Sequence, residues 1–438
     1  MSTAASSPVG ARLRAALPWS NLSTAGSWAA LGALAGWFSI ESIISTSWLA
    51  PNDAQRMLFG FALLSMTLAF RPKHRRRDVA LLFFGWYLGA GSAIPSLWTG
   101  FFAGSVAPGV MAWLGWALIM AAPFLLAPRG RPWIGILCGL SLGAVPPLGI
   151  LGMASPLLAA GALFPGWGLA GVALIAALLA IASWSSTART SGNKAVTAAL
   201  IAALLWGALQ AATYRLPAAP DLAWAMTTYL GDYPEALQQR FARQDDLKAQ
   251  VRRAIDEGAR LIVLPEGANA QWNDGQAFYW SDIAELARKK KATVLLGVYE
   301  TDPLTQHDGR DTLLDLVTDQ HYTAQMPMPI GMWRPWADEH YPMRAPGGGL
   351  QTRYGPALIS ICYEDLLLWP LIAQRLQMTA HGTTPALLIS AANQWFAHDG
   401  NAVAQTRAIG MQARIWGVPL LRAVNWARPV SHAPFSVN

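Results

Sequence analysis

Only three of the first 213 residues carry a carboxylate: Glu41, Asp53 and Asp78. Long apolar runs fill the rest of that stretch, broken by short clusters of arginine and lysine. A helical domain in water needs a polar face, and this half has too few charges to build one. Roughly 20 apolar residues cross a bilayer as a helix. Seven stretches approach that length: 25–47, 56–71, 78–98, 106–127, 133–153, 165–185 and 195–213. The sequence therefore predicts a membrane α-helical bundle of about seven spans. Pro146-Pro147 and Ser155-Pro156 interrupt the fifth, where a kinked helix plus a re-entrant segment is the alternative.

Basic residues orient such a bundle, because they are retained on the cytoplasmic side. Arg12 and Arg14 precede the first span, and Arg71, Lys73, Arg75, Arg76 and Arg77 separate the second from the third. Arg129 and Arg131 follow the fourth, and Arg189 and Lys194 follow the sixth. With seven spans these clusters share one side, and the opposite loops carry little beyond Arg56. An odd count places the rest of the chain on the far side, which in a bacterium is the periplasm. The expected location is the bacterial inner membrane, multi-pass, with no cleavable signal peptide, since residues 1–25 lack an apolar core. The net charge of +7 averages two unlike halves. Its basic excess sits in loops, which fits membrane topology and argues against a nucleic-acid partner.

Composition changes near Leu216-Pro217-Ala218-Ala219-Pro220, giving a transmembrane domain at 1–216 and a second domain at 217–438. Beyond the boundary, strands are predicted at 222–230, 260–264, 293–299, 312–317, 357–361, 386–390 and 419–424. Helices are predicted at 233–258, 281–291, 367–377 and 402–416. This alternation argues for a layered α/β domain. There is no Gly-rich phosphate loop and no His/Cys cluster with metal spacing, so neither cofactor nor metal is expected.

Two strand ends carry the chemistry. One is Leu264-Pro265-Glu266 and the other Ile361-Cys362-Tyr363-Glu364. The second cysteine of the chain, Cys138, lies in an apolar stretch, so no disulfide framework is implied. A thiol at a strand end sits at a turn, where backbone N–H groups can face a reacting oxygen. In this reading Glu266 is the general base, Cys362 the nucleophile and the Tyr363 N–H an oxyanion donor. Glu364 either positions the pair or forms a surface ion pair. A buried cysteine can equally be a small hydrophobe, and Glu266 a strand-end cap. Asn393 and Trp395 are expected to line the pocket, with core or bilayer contact as the alternative for Trp395. The Pro-, Trp- and Met-rich segment 326–349 is either an irregular surface loop or a lid that touches lipid.

These pieces, with Asn393-Gln394-Trp395-Phe396 and Gly417-Val418-Pro419-Leu420-Leu421-Arg422 ahead of Asn425, resemble the nitrilase (carbon–nitrogen hydrolase) superfamily. That resemblance implies a four-layer αββα sandwich with a Glu-Lys-Cys triad. Membrane spans ahead of such a domain resemble apolipoprotein N-acyltransferase. A closer resemblance is to the conjugal transfer protein TraB family. It rests on Ala144-Val145-Pro146-Pro147-Leu148-Gly149-Ile150, Leu163-Phe164-Pro165-Gly166-Trp167-Gly168, Met326-Pro327-Met328-Pro329, Met332-Trp333-Arg334-Pro335-Trp336 and Trp369-Pro370.

One member of the implied triad is missing. The acyltransferase pattern, read from Tyr322 and Pro329, puts the lysine at position 324, which here is Ala324. No lysine follows Lys291. An ammonium beside the thiol favours the thiolate and steadies an oxyanion; Arg334 is the candidate substitute, though arginine stays charged and exchanges no proton. The resemblance thus leaves three functions open. One is a conjugation protein doing acyl transfer or amide hydrolysis through a cysteine thioester. A second is an apolipoprotein N-acyltransferase using a phospholipid acyl donor and a lipoprotein or amine acceptor. The third is a catalytically dead assembly component contacting other conjugation-apparatus proteins. Membrane lipids are expected partners in all three.

Overall fold

The computed structural model of the chain describes residues 19–41, 52–70, 75–187, 192–301, 308–318, 320–338, 340–397 and 403–427. Arg12, Arg14, Arg71, Lys73 and Arg189, five of the residues used for orientation, lie outside the described residues, as do positions 42–47 of the first expected span.

The N-terminal half is helical, and its described residues do not show seven separate spans. Among the described residues, two helices are long and apolar enough to cross a membrane, Val106–Leu126 and Ala195–Thr213. Two bent pairs reach the length jointly: Arg76–Ala90 with Ile94–Phe102, turned by 45°, and Pro156–Leu163 with Gly168–Trp184, turned by 118°. Among the described residues, the helices long and apolar enough to span therefore number two, or four if each bent pair is one span. The departure has local causes. A turn at 91–93 divides the third expected span. Past the helix Pro132–Ala144, two short 3-10 turns, Leu148–Leu151 and Pro156–Ala159, replace a continuous helix. Pro146, Pro147 and Pro156 cannot donate the backbone bonds that a helix would need there. The helix Asp53–Phe70 carries Asp53 and Arg56 in its first turn.

Two of these helices pack backbone to backbone. Gly32 and Gly36 on Trp19–Gly36 face Arg76–Ala90, and Gly85 and Gly89 face back. A methyl group on Gly36 would lie 2.1 Å from the Trp86 carbonyl oxygen, and one on Gly85 1.9 Å from that of Ala29. Reciprocal small-x-x-x-small faces of this kind let helices approach closely where lipid supplies no hydrophobic drive.

The C-terminal half forms two sheets. The first runs β1 (Ala223–Ala225), β3 (Leu261–Val263), β5 (Thr293–Thr301), β6 (Gly309–Asp315) and β7 (His321–Thr323), with β4 (Asn269–Trp272) also pairing β5. The second runs β2 (Thr227–Thr228), β11 (Leu420–Trp426), β10 (Leu387–Gln394), β9 (Gly355–Ile361) and β8 (Leu350–Thr352). Parallel pairs dominate the strands nearest the site, as buried α/β strands require. The inner faces meet in one apolar core, Leu261, Val263, Leu295 and Leu313 against Ile359, Ile361, Ile389 and Leu421. Outer residues Ile262, Val294 and Leu296 pack on the helices Leu237–Asp256 and Ser281–Lys290. Leu358 and Leu388 pack on Trp369–Ala380 and Val403–Trp416. The order helix, sheet, sheet, helix is the four-layer arrangement that the resemblance implied. The single strand predicted at 222–230 is instead two, split between the sheets at Met226.

The last helix joins the halves. Arg414 donates from Nε to the Gly161 carbonyl at 2.7 Å, and from its other nitrogens to the Tyr214 and Gln210 carbonyls. Arg407 pairs with Asp53 at 2.8 Å and donates to the Ile40 carbonyl.

The glycine packing yields a prediction. Gly36→Ala and Gly85→Ala each force the paired helices apart and should cost about 1–3 kcal/mol by overpacking. Gly115→Ala, where an added methyl meets nothing within 4 Å, should leave thermal unfolding in detergent unchanged or slightly raised. Equal effects at all three positions would refute the packing argument.

Candidate active site

Strand register builds the site. On the inner face of the first sheet, Tyr299 pairs across from Asp311. The β6–β7 register that pairs Thr312 with Thr323 sets Asp311 beside Ala324, whose N–H donates to the Asp311 carbonyl at 2.8 Å. In the second sheet Asn393, Asn425 and Thr228 form a matching row across β10, β11 and β2. Asn425 accepts from the Thr228 hydroxyl at 3.0 Å and donates to the Asn393 side-chain oxygen at 2.8 Å.

Glu266 and Cys362 lie between these rows. Glu266 leaves β3 through Pro265 and passes over Gly297, where any β-carbon would lie 2.1 Å from the Pro265 oxygen and 2.7 Å from the Glu266 Cα. Its carboxylate accepts from the Tyr299 hydroxyl at 3.0 Å and from the Asn393 N–H at 2.8 Å. The Cys362 thiol and the Asp311 carboxyl lie within reach of it. The thiol and the base expected from two distant strand ends are thus in contact.

Cys362 has a φ of 47°, a left-handed conformation that costs a side-chain-bearing residue roughly 1–2 kcal/mol. Two buried carboxylates hold it there. Asp365 accepts from Ser360 at 2.6 Å, Ser390 at 2.9 Å and Gln405 at 3.0 Å, and Gln405 also donates to the Cys362 carbonyl at 2.8 Å. Glu364 accepts from the Ile361, Gln325 and Met326 N–H groups and from the Tyr322 hydroxyl. Glu364 therefore ties the elbow to the loop after β7, and it is wholly buried where a surface ion pair was the alternative.

The electrostatics are unusual for a cysteine nucleophile. Burial pushes the Cys362 thiol well up, and the Glu266 carboxyl adds to the rise. Burial also raises Glu266, against the hydrogen bonds from Cys362, Asp311, Tyr299 and Asn393. Arg334, the expected lysine substitute, is exposed, and it is not among the groups acting most strongly on the thiol. A cation that does interact with Cys362 is Arg422, which lies in register with Ser390 and Ser360 and is drawn to Asp365.

Tyr363 and Trp395 face the N-terminal helical half. The Tyr363 hydroxyl donates to the Ile150 carbonyl at 2.9 Å. The Trp395 ring lies 5.8 Å from Phe101 at the end of Ile94–Phe102. Sequence reading missed Tyr299, Asp311 and Tyr341, whose ring lies 6.0 Å from that of Tyr299. An acid two residues from Leu313 on a buried strand was the available signal for Asp311.

Glu364 offers a pH test of this scaffold. Burial pushes its carboxyl up to about 7 from an ordinary 4.5. Between those values the folded protein holds a proton that the unfolded chain has released, so this share of stability is present below 4.5 and is lost as pH rises through about 7. Glu364→Gln should remove that share, up to about 1.4 kcal/mol per pH unit within the window. Thermal melts at intervals from pH 4 to 8 measure it, and parallel curves for the two proteins would contradict it.

Comparison with known proteins places this geometry in context. No family model matches the chain. It is 30% identical over 373 residues to the conjugal transfer protein TraB of Agrobacterium fabrum, covering 78% of this chain and 82% of that one. It is 29% identical over 392 residues to the probable conjugal transfer protein TraB of Sinorhizobium fredii, covering 84% and 94% respectively. Among solved structures, two of the amidase from Nesterenkonia sp. AN1 match 46% of this chain and 76% of theirs, at 16% and 17% identity, with TM-scores of 0.31 and 0.32. The extent and level of identity to its curated relatives place the chain in the conjugal transfer protein TraB family.

Proposed function

We propose that this protein is a multi-pass inner-membrane component of plasmid conjugal transfer whose C-terminal half is a nitrilase-like acyl-transfer or amide-hydrolysing domain on the periplasmic side. The single observation that carries the chemical part is that Glu266 and Cys362 lie within reach of each other at the facing ends of two sheets. The conjugation setting is taken from the names of its relatives. The membrane setting rests on the apolar helices and on the acid-poor, base-rich composition of the first half.

The reaction is a two-step exchange. Glu266 takes the Cys362 thiol proton as sulfur bonds to the carbonyl carbon of an amide or ester donor. The Tyr363 N–H steadies the oxyanion. The carbon–nitrogen or carbon–oxygen bond breaks, the leaving group takes the proton from Glu266, and a thioester remains. An amine or water then attacks that carbon, giving its proton to Glu266. The carbon–sulfur bond breaks, and sulfur takes the proton back. Asn393 presents its N–H to Glu266 and so fixes the base. With Ala324 in place of the lysine, one donor to the oxyanion is gone, a change that typically lowers turnover by roughly 100- to 1000-fold. A slow enzyme is the expected result. A phospholipid acyl donor with a lipoprotein or amine acceptor suits the position of the site beside the helical half.

The same acidic surroundings favour a second reading, a pseudoenzyme that keeps the fold as an assembly component. Mass spectrometry of protein purified from membranes separates the two. The first reading expects an acyl mass on Cys362, absent in Cys362→Ala, and a fall in plasmid transfer of about 1000-fold or more in that variant. An unmodified thiol together with unchanged transfer would leave the assembly reading. Growth of a strain lacking its own N-acyltransferase, restored by this protein, would identify the acceptor as lipoprotein.

A further inference from the structure

Asp311 has no place in a Glu-Lys-Cys scheme, yet it touches the base. It stands in the inner-face row between Tyr299 and Ala324. It is 3% exposed, and its Oδ1 is buried without a hydrogen-bond partner. Its carboxyl lies within reach of that of Glu266. The groups facing it come from every neighbouring element. They are Glu266 after β3, Tyr299 on β5, Tyr322 on β7, Tyr341 from the following loop, and Cys362 and Glu364 from the elbow after β9. None of these is a cation.

Two carboxylates in contact, away from water and without a counter-ion, do not both ionise. One proton between them removes the repulsion and turns it into a hydrogen bond. Geometry decides which of the two keeps that proton. Glu266 receives hydrogen bonds from Tyr299, from the Asn393 N–H and from the Cys362 thiol. Asp311 has an oxygen that receives none. A buried charge with an unsatisfied oxygen costs far more than a neutral acid in the same place. The charge therefore belongs on Glu266 and the proton on Asp311.

We propose that Asp311 is a positioning residue that sits protonated beside Glu266 and donates its acid hydrogen to that carboxylate, in the strand position next to the missing lysine. The pair carries one negative charge at neutral pH. The proton that Glu266 then exchanges is the one on Cys362. The lysine has been replaced by a neutral donor one strand over, so the site activates its thiol by hydrogen-bonded proton transfer, while Arg422, a cation that reaches Cys362, is drawn to Asp365. This rests on the reading of Glu266 as a base toward Cys362.

Alkylation of Cys362 by iodoacetamide tests it, followed by peptide mass spectrometry on the purified full-length protein. This readout reports the thiol and base whether or not an acyl adduct is ever found, so failure of the acyl-transfer reading is a separate outcome. Asp311→Asn keeps a neutral donor to Glu266 and should react within about twofold of the wild type at every pH from 5 to 8. Asp311→Leu removes the donor, which raises the pH at which Glu266 ionises, and should slow alkylation at pH 7 by about tenfold. If Asp311→Asn differs from the wild type by tenfold in that range, Asp311 is ionised and the proposal is wrong. If Asp311→Leu matches the wild type with an unchanged melting curve, the residue has no role toward the base. Should the leucine variant fail to fold, the wild-type and asparagine profiles alone decide.

Discussion

A carboxyl from one sheet and a thiol from the other come within reach of each other across the interface between the sheets, and the rest of the C-terminal half is arranged around that contact. It requires the sheets to meet in fixed register at one end. The apolar core of Leu261, Val263 and Leu313 against Ile359, Ile389 and Leu421 supplies the approach. The polar rows at the strand ends supply the alignment. Asn425 shows how closely they are fitted: its side chain satisfies Thr228, the Leu230 N–H, the Gly231 carbonyl and Asn393 together. Removing any one partner would strand a buried polar group, at a cost of about 1–3 kcal/mol.

The elbow at Cys362 is the second element of the arrangement. A left-handed cysteine persists only where its surroundings over-determine it. Here Glu364 fixes the backbone on one side through three N–H groups. Asp365 fixes it on the other through serines that lie in register on adjacent strands. The acidic residues that follow the cysteine in sequence thus hold the sulfur in place without reacting. Glu266, ninety-six positions earlier, is the one that reaches it. Adjacency in sequence and adjacency at the sulfur are different things here, and strand register decides the second.

That distinction explains what the sequence could and could not say. Strand ends such as Val263-Leu264-Pro265-Glu266 and Ile361-Cys362 are legible, because a short apolar run closed by a polar residue has few other readings. The layering is legible from the alternation of strands and helices. Asp311 is not, since its role depends on which residue of β5 and of β7 it lies beside, and local pattern carries no register. The break at Met226 is hidden for the same reason: its N–H joins Val263 in one sheet and its carbonyl joins Val424 in the other, within a run that reads as one strand. In the helical half, hydropathy reveals apolar length but not where the chain turns. The seven expected spans therefore give way to two long helices and two bent pairs, while the facing glycines that organise the first helices are visible only once their partners are known.

The helical half also sets the location of the sulfur. Tyr363 follows Cys362 directly, and its hydroxyl donates to the Ile150 carbonyl. Trp369, a few residues on, packs beside Gly149. On the other side of the site, Phe396 lies so close to Gly100 that a methyl there would be 2.4 Å from its carbonyl oxygen. Met326, Tyr363, Leu367 and Trp369 form one cluster, with Ile150, Met153 and Trp333 packed against it. The thiol is thus held from the apolar half as well as from its own sheets. A soluble amidase domain on a flexible linker would need none of these contacts. Their presence fixes the distance between the sulfur and the apolar helices.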